Sequence, residues 1–310
     1  MKKITILVPV YNEEEVLEIF YKEITKVINS IKNYRFEILF INDGSKDNTL
    51  NLIKNIQKKD KIISYIDLSR NYGKEIAMAA GIDNVDADAM IIIDVDLQDP
   101  PELIVEMLKF FEEGYDDVYA KRISREGEIF LKKWTSKVFY NFLEKISKVP
   151  IQKDTGDFRL LSKKAIISLK QLRESQRYTK GLFSIIGFKK KEILFKRKPR
   201  AAGKTKWNYV QLTNLAIEGI TSFSIMPLKL TMFLGFLLFL IGIIYLIFII
   251  IKTLFFGIDQ PGYASLMSVV LFIGSLQFIF LGIIGEYLGR MFLETKKRPL
   301  YFINEISKQD

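Results

Sequence analysis

Four short stretches in the first third of the chain are either continuously apolar or alternate apolar with polar: Ile4 to Val10, Phe36 to Ile41, Ile62 to Leu68 and Ala89 to Asp94. Each has the length of a strand, and the segments between them carry apolar residues at helical spacing with polar faces. Such alternation predicts an α/β fold on a mostly parallel sheet, where ligands bind beyond the carboxyl ends of the strands. Residues just after each apolar run are therefore the candidates for chemistry. Further on, Trp134, Val138 and Phe142 recur every four residues, with Phe139, Leu143 and Ile146 beside them. This marks an amphipathic helix that suits either packing on the sheet or lying at a bilayer surface. Leu230 to Ile251 is an uncharged run of 22 residues and Gln260 to Gly285 one of 26, each long enough to cross the hydrocarbon core. Trp207 to Ile225, apolar with Trp207 and Phe223 near its ends, leads into the first of them and reads as an interfacial helix.

Charge sets the orientation of this pair. Lys204, Lys206 and Lys229 precede the first run, and Arg290, Lys296, Lys297 and Arg298 follow the second, while the connection carries Lys252 and Asp259. The positive-inside rule places both flanking parts in the cytoplasm, with a multi-pass hairpin in the cytoplasmic membrane between them. The division expected is a catalytic part over 1–206, an interfacial helix over 207–227, the hairpin over 228–290 and a cytoplasmic tail over 291–310. In the second run Gly274, Gly282, Gly285 and Gly289 permit close helix contact, compatible with a homo-oligomer. The 310 residues carry a formal charge of +10 and contain neither cysteine nor histidine. Thiol nucleophiles, disulfides, Cys/His zinc sites and imidazole bases are thereby excluded, leaving carboxylates, Lys, Arg, hydroxyls and a metal.

The fourth strand ends in Asp94-Val95-Asp96-Leu97-Gln98-Asp99-Pro100-Pro101. On an extended backbone Asp94, Asp96 and Gln98 share one side and offer three oxygens to a hard divalent cation, although acidic residues after a strand also serve as helix caps. The prolines stop the strand and allow a helix from Glu102. After the first strand, Asn12 is a candidate helix cap with Glu13 and Glu14 behind it. After the second, Asn42-Asp43-Gly44-Ser45 is a turn, and after the third, Ser69 to Glu75 is a charged loop. Lys153 to Leu161 is an acidic loop before an apolar pair, another candidate cap. Residues 196–206 hold six basic side chains and no acidic one, a pattern that attracts anionic lipid. Neither a Walker loop nor G-x-G-x-x-G is present, so diphosphate would be held by a cation and basic side chains.

The segment from Asp94 to Pro101 resembles the D-x-D-x-Q stretch of family 2 glycosyltransferases, more narrowly those that load a sugar onto a polyprenyl phosphate. The resemblance implies a GT-A-like sheet and a cation, Mg2+ or Mn2+, on Asp94, Asp96 and Gln98. It sets Pro9, Tyr11 and Glu13 against base and ribose, has Asp43 bond the base, and brings Arg70 or Lys74 to the nucleotide alongside Asp94. The R-x-x-R-E-G-E stretch resembles the acceptor side, which implies lipid phosphate on Arg122, Arg125, Lys133 and Ser136. Gly156-Asp157-Phe158-Arg159 resembles the segment at the reacting centre, so Asp157 is carried over as the carboxylate nearest the transferred sugar, with Asp96 the other catalytic residue. Arg200-Ala-Ala-Gly203-Lys204-Thr205-Lys206 resembles a lid that closes over diphosphate through Arg200 and Lys206. The partners implied are a nucleotide-sugar donor (UDP-glucose, GDP-mannose or a UDP-amino sugar), undecaprenyl or another polyprenyl phosphate, and the bilayer, with no nucleic acid. A processive polysaccharide synthase is the nearest enzymatic competitor, but its Q-x-x-R-W stretch is missing. A non-catalytic membrane partner would not need Asp43, Asp94, Asp96 and Asp157 together.

Overall fold

The computed structural model describes residues 1–123, 155–175, 177–196, 226–256 and 262–308. The four apolar runs form β1 (Lys2–Val10), β2 (Tyr34–Asn42), β3 (Ile63–Leu68) and β4 (Ala89–Ile92), joined by α1 (Leu17–Asn29), α2 (Thr49–Lys59) and α3 (Lys74–Asn84). Then come α4 (Leu103–Glu112), β5 (Asp117–Arg122), β6 (Thr155–Ser162), α5 (Lys163–Gln171), α6 (Thr179–Ile185) and β7 (Lys190–Phe195). Two long helices, α7 (Met226–Phe256) and α8 (Tyr263–Thr295), precede a last strand, β8 (Ile303–Ser307). The segments 134–146 and 207–225 lie outside the described residues, as do Arg125, Lys133, Ser136, Arg200 and Lys206, while Met226 and Pro227, the end of the expected interfacial helix, already belong to α7.

All eight strands join one sheet in the order β7-β5-β6-β4-β1-β2-β3-β8. The central pairs β3 with β2, β2 with β1 and β1 with β4 are parallel, as the alternation predicts, and β6 and β8 add antiparallel flanks. One face is packed by α1, α2 and α4 through Phe20, Ile24, Ile53, Ile104 and Met107, and the other by α3, α5 and α6 through Ala77, Met78, Ile166 and Phe183. The chain therefore leaves β1 on one face and reaches β4 from the other. Loops after β1 and β4 diverge at this switch of direction, which opens a crevice at the carboxyl edge.

Two local details bring α3 into place. Gly81 lies against β1 so closely that a β-carbon there would fall 2.1 Å from Leu7 Cδ1, so the helix seats directly on the sheet. Pro9 sits inside β1 without breaking the ladder. Leu7 accepts from Ile93 N, so Pro9, two residues on, turns its missing donor to the side where β4 has already ended at Ile92.

The two uncharged runs form α7 and α8, whose windows Leu228–Tyr245 and Phe272–Thr295 are long and apolar enough to cross a membrane, with none of the described residues in either window buried. The second helix continues ten residues past Gly285 to Thr295. The tail, read from sequence without any element, returns to the sheet as β8, antiparallel to β3.

Arg159 on β6 is fully buried, with Nη1 donating to both oxygens of buried Asp117 at 3.2 and 3.1 Å and its guanidinium 3.7 Å from the Phe183 ring centroid. Burial pushes the Asp117 carboxyl up, with Arg159 and Lys190 opposing it. A buried pair is costly to break from one side. Arg159→Met strands Asp117 in the core and is expected to lower unfolding stability by about 3–5 kcal/mol. Urea unfolding of the detergent-solubilised chain measures this, and a loss under about 1 kcal/mol would show that the pair carries little of the fold.

Candidate active site

Loops from four strand ends meet at the carboxyl edge, where they are stitched to one another as well as to their own helices. Asn12, in the left-handed region at φ 53°, accepts from Lys46 N at 2.8 Å, and its own N–H donates to Ser45 Oγ at 3.0 Å. Glu13 N donates to Thr49 Oγ1 at 2.9 Å, and Asn48 N donates to Glu14 Oε2 at 2.9 Å. Asn12 is thus a strut between the first two loops, and not the cap of α1, which begins at Leu17 with no side-chain cap. The sequence pattern fits both uses, because an αL asparagine and a capping asparagine look alike until the partner loop is known.

Asp43, 3% exposed, accepts from Tyr72 N at 2.7 Å through Oδ1 and from Gly73 N at 2.9 Å through Oδ2. It ties the second loop to the third at the residue before Lys74. Burial pushes its carboxyl up against the lowering effect of these two donors and Arg70. Gly44 completes the clamp: at φ +63° it lies so near the third loop that a β-carbon would fall 2.4 Å from the Arg70 carbonyl carbon. Any larger residue forces the two loops apart.

Lys74 is the first residue of α3, and its Nζ lies between two carboxylates: 2.7 Å from Asp94 Oδ1 and 2.5 Å from Asp157 Oδ2. Burial alone would raise Asp157, but Lys74, then Lys180 and Arg159, overcome it and hold the carboxyl well below its ordinary range. Burial would likewise lower Lys74, yet Asp157 and Asp94 hold its ammonium above its usual value. The next residue, Glu75, accepts from Thr179 N at 2.9 Å and from the Thr179 hydroxyl, and burial with nearby Asp157 pushes it up. Beside Asp157, a β-carbon at Gly156 would fall 3.3 Å from Arg122 Nη2 and 3.5 Å from Asp99 Oδ2, so all three converge at the start of β6.

The extended geometry expected for Asp94, Asp96 and Gln98 does not occur. The β4 ladder ends at Ile92 against both β1 and β6; the chain then turns, with Leu97 at φ 56° and Gln98 N donating to Asp96 Oδ1 at 3.1 Å. Among the described residues no three acidic side chains gather into a cation cage. The oxygens still fit a magnesium-type ion, which uses one or two carboxylates plus substrate phosphate rather than an all-protein cage. Asp94 and Asp157 already converge on one positive charge.

Pro9 is buried in β1, while Tyr11 and Glu13 stand half-buried in the turn after it. Sequence reasoning missed Glu75, Arg159 and Lys180 as members of this constellation. Arg159 and Glu75 stood inside the quoted motifs, but nothing in the spacing tells that one bridges Asp117 and the other meets α6.

Residues 5–169 match Glycosyl transferase family 2, just over half of the chain, and residues 226–291 match the GtrB C-terminal hairpin. The chain belongs to glycosyl transferase family 2. This glycosyltransferase is 47% identical to an uncharacterized glycosyltransferase of Synechocystis over 98% of this chain and 95% of that one. It is 42% identical to the bactoprenol glucosyl transferase of Shigella phage SfV over 99% of this chain and 100% of that one. Among solved structures it is similar to mannosyl-3-phosphoglycerate synthase from Rubrobacter xylanophilus, with a TM-score of 0.49 and 16% identity over 70% of this chain and 71% of that one.

With Lys74 in place, Asp157 stays ionised as pH falls past the ordinary carboxylate range near 4. In Lys74→Met its chief lowering partner is gone and burial prevails, so proton uptake occurs at higher pH. The acid limb of kcat/KM is expected to move up by about one pH unit or more. A pH profile in which the variant's acid limb coincides with the parent's would separate Asp157 from Lys74.

Proposed function

We propose that this glycosyltransferase moves a single sugar from a nucleotide-diphosphate sugar, UDP-glucose by preference, to a polyprenyl phosphate at the cytoplasmic face of the membrane, with inversion. The observation that carries this reading is the joining of one glycosyltransferase fold, in one chain, to two exposed apolar helices whose far end is paired back onto the catalytic sheet through β8. An acceptor dissolved in the bilayer fits such a molecule. The near full-length similarity to a bactoprenol glucosyl transferase supports the same acceptor. The division into a catalytic part over 1–206, an interfacial helix over 207–227, a hairpin over 228–290 and a cytoplasmic tail belongs to this proposal.

The acceptor phosphate oxygen attacks the anomeric carbon; the bond from that carbon to the diphosphate breaks, and nucleoside diphosphate leaves. A phosphate monoester is already mostly anionic at neutral pH, so no strong base is needed. Asp157 is suited to a different task. Held ionised by Lys74, it is a poor proton acceptor and a good hydrogen-bond acceptor, able to orient a sugar hydroxyl. Lys74 screens Asp94 and Asp157 from each other and offers positive charge where diphosphate arrives. Pro9, Tyr11, Glu13 and Asp43 border the nucleoside; Arg200 and Lys206 close over phosphate; and Arg122, Arg125, Lys133 and Ser136 take the lipid phosphate. Asp94, Asp96 and Gln98 would hold Mg2+ or Mn2+, which when bound supplies neutralisation of the leaving diphosphate.

Detergent-solubilised protein incubated with undecaprenyl phosphate and a panel of UDP- and GDP-sugars is expected to yield a lipid one hexose heavier, with UDP-glucose the best donor. Mass measurement decides it: a ladder of added sugars would indicate a processive synthase, and no product with any donor would overturn the proposal. Asp96→Asn is expected to lower turnover more than about 100-fold while the protein remains folded and inserted, and EDTA is expected to do the same to the parent. Full activity of either would remove the cation from the mechanism.

A further inference from the structure

The strand that follows the membrane helices does more than cover a sheet edge. Along β8, Ile306 pairs with Ile66 and Glu305 with Asp67, but the register then shifts and Ile303 pairs with Leu68. Asn304 is therefore the extra residue of a bulge, a device that re-aims a side chain. Its Nδ2 donates to Asp67 Oδ2 at 2.8 Å. The other oxygen of Asp67, itself 5% exposed, accepts from Asn42 Nδ2 at 2.7 Å, and Asn42 is the residue before Asp43. Two residues before Asn304, just ahead of β8, the Phe302 carbonyl accepts from Ser69 N at 3.0 Å, at the entrance of the third loop. That loop is thus held at its entrance by β8 and at its exit by Asp43, immediately before Lys74.

Sealing an edge would not require this arrangement. Away from the loop, Glu305 accepts from Lys54 Nζ and from Tyr65 Oη at 2.5 Å each, and Gln57 Nε2 donates to Ser307 Oγ at 3.1 Å. Those contacts and the backbone ladder dock the strand by themselves. The bulge and the Asn304–Asp67–Asn42 chain add only a connection to the loops over the strand ends. Both matched families stop short of it, at residues 169 and 291.

We propose that Asn304 is a positioning residue of the donor site: through Asp67 and Asn42 it fixes the two loops that receive the nucleoside diphosphate, so that donor affinity depends on the segment emerging from the second membrane helix. This rests on the reading that loops 42–49 and 69–74 face the nucleotide. Asn304 touches no substrate. It acts through Asp67.

The test uses the full chain in detergent, with UDP titrated calorimetrically and KM for donor and acceptor measured separately. Asn304→Ala, and Asn304→Asp, which keeps the shape but repels Asp67, are expected to weaken UDP binding and raise donor KM by about three- to tenfold, with acceptor KM within about twofold. Lys54→Met, which loosens β8 away from the loop, is expected to leave both KM values within about twofold even where it lowers the melting temperature as much. Asp43→Asn tests the underlying reading, and unchanged UDP affinity in that variant would remove the nucleotide from these loops. If Asp43→Asn weakens UDP binding while both Asn304 variants bind UDP like the parent, the inference is overturned. Equal weakening by Lys54→Met would overturn it as well, reducing Asn304 to general stability.

Discussion

Two carboxylates brought from strands that run in opposite directions, Asp94 after β4 and Asp157 on β6, meet over the ammonium of Lys74. Without a counter-charge, burial would push Asp157 towards its protonated form. The lysine at the start of α3 prevents that, and much of the fold serves to deliver it. Gly81 lets α3 lie directly on β1, Asp43 fixes the two backbone N–H groups just before Lys74, and Gly44 allows the second and third loops to touch. On the other side Arg159, anchored by Asp117, sets a second positive charge behind Asp157.

The same fold sets a glycosyltransferase sheet beside two exposed apolar helices in one chain. The loops that meet around Lys74 lie at the carboxyl edge of the central parallel strands, where the chain switches direction between β1 and β4. The exposed apolar helices leave the catalytic part and their end comes back to it. Besides β8, Glu294 at the end of α8 accepts from Ser175 N at 2.7 Å, and Tyr301 Oη donates to Asp83 Oδ2 at 2.9 Å. The hairpin's end is therefore fastened to the sheet edge through β8 and to the α3 and α5 face, and is not merely appended.

Much of this was legible in the sequence, for physical reasons that differ by element. Buried parallel strands need continuous apolar runs, so β1 to β4 announced themselves within two residues or so, and two long uncharged runs announced the apolar helices α7 and α8. The acidic motifs pointed to Asp94 and Asp157, which the structure brings together on Lys74. What stayed hidden depends on contacts between segments remote in sequence. Nothing local says that the strand stops at Ile92 and turns, which undoes the alternation expected of Asp94, Asp96 and Gln98, since the stop is set by where β1 and β6 cease to pair. Nor does the polar pentapeptide of β8 look like a strand; it becomes one because β3 offers an edge and Lys54 and Tyr65 wait for Glu305. Arg159 stands within the segment likened to a reacting centre, but its burial shows only once Asp117, 42 residues away, is placed against it.

The central claim is that the ionised Asp157 beside Lys74 faces the reacting sugar. It is tested most directly by Asp157→Asn, which keeps the shape and removes the charge, assayed in lipid nanodiscs with the donor that the parent enzyme uses best. Turnover at saturating donor and acceptor is expected to fall by about 100-fold or more while UDP still binds within about threefold of the parent. Turnover within about twofold of the parent would contradict the account and leave the Lys74 cluster a structural feature of the sheet edge.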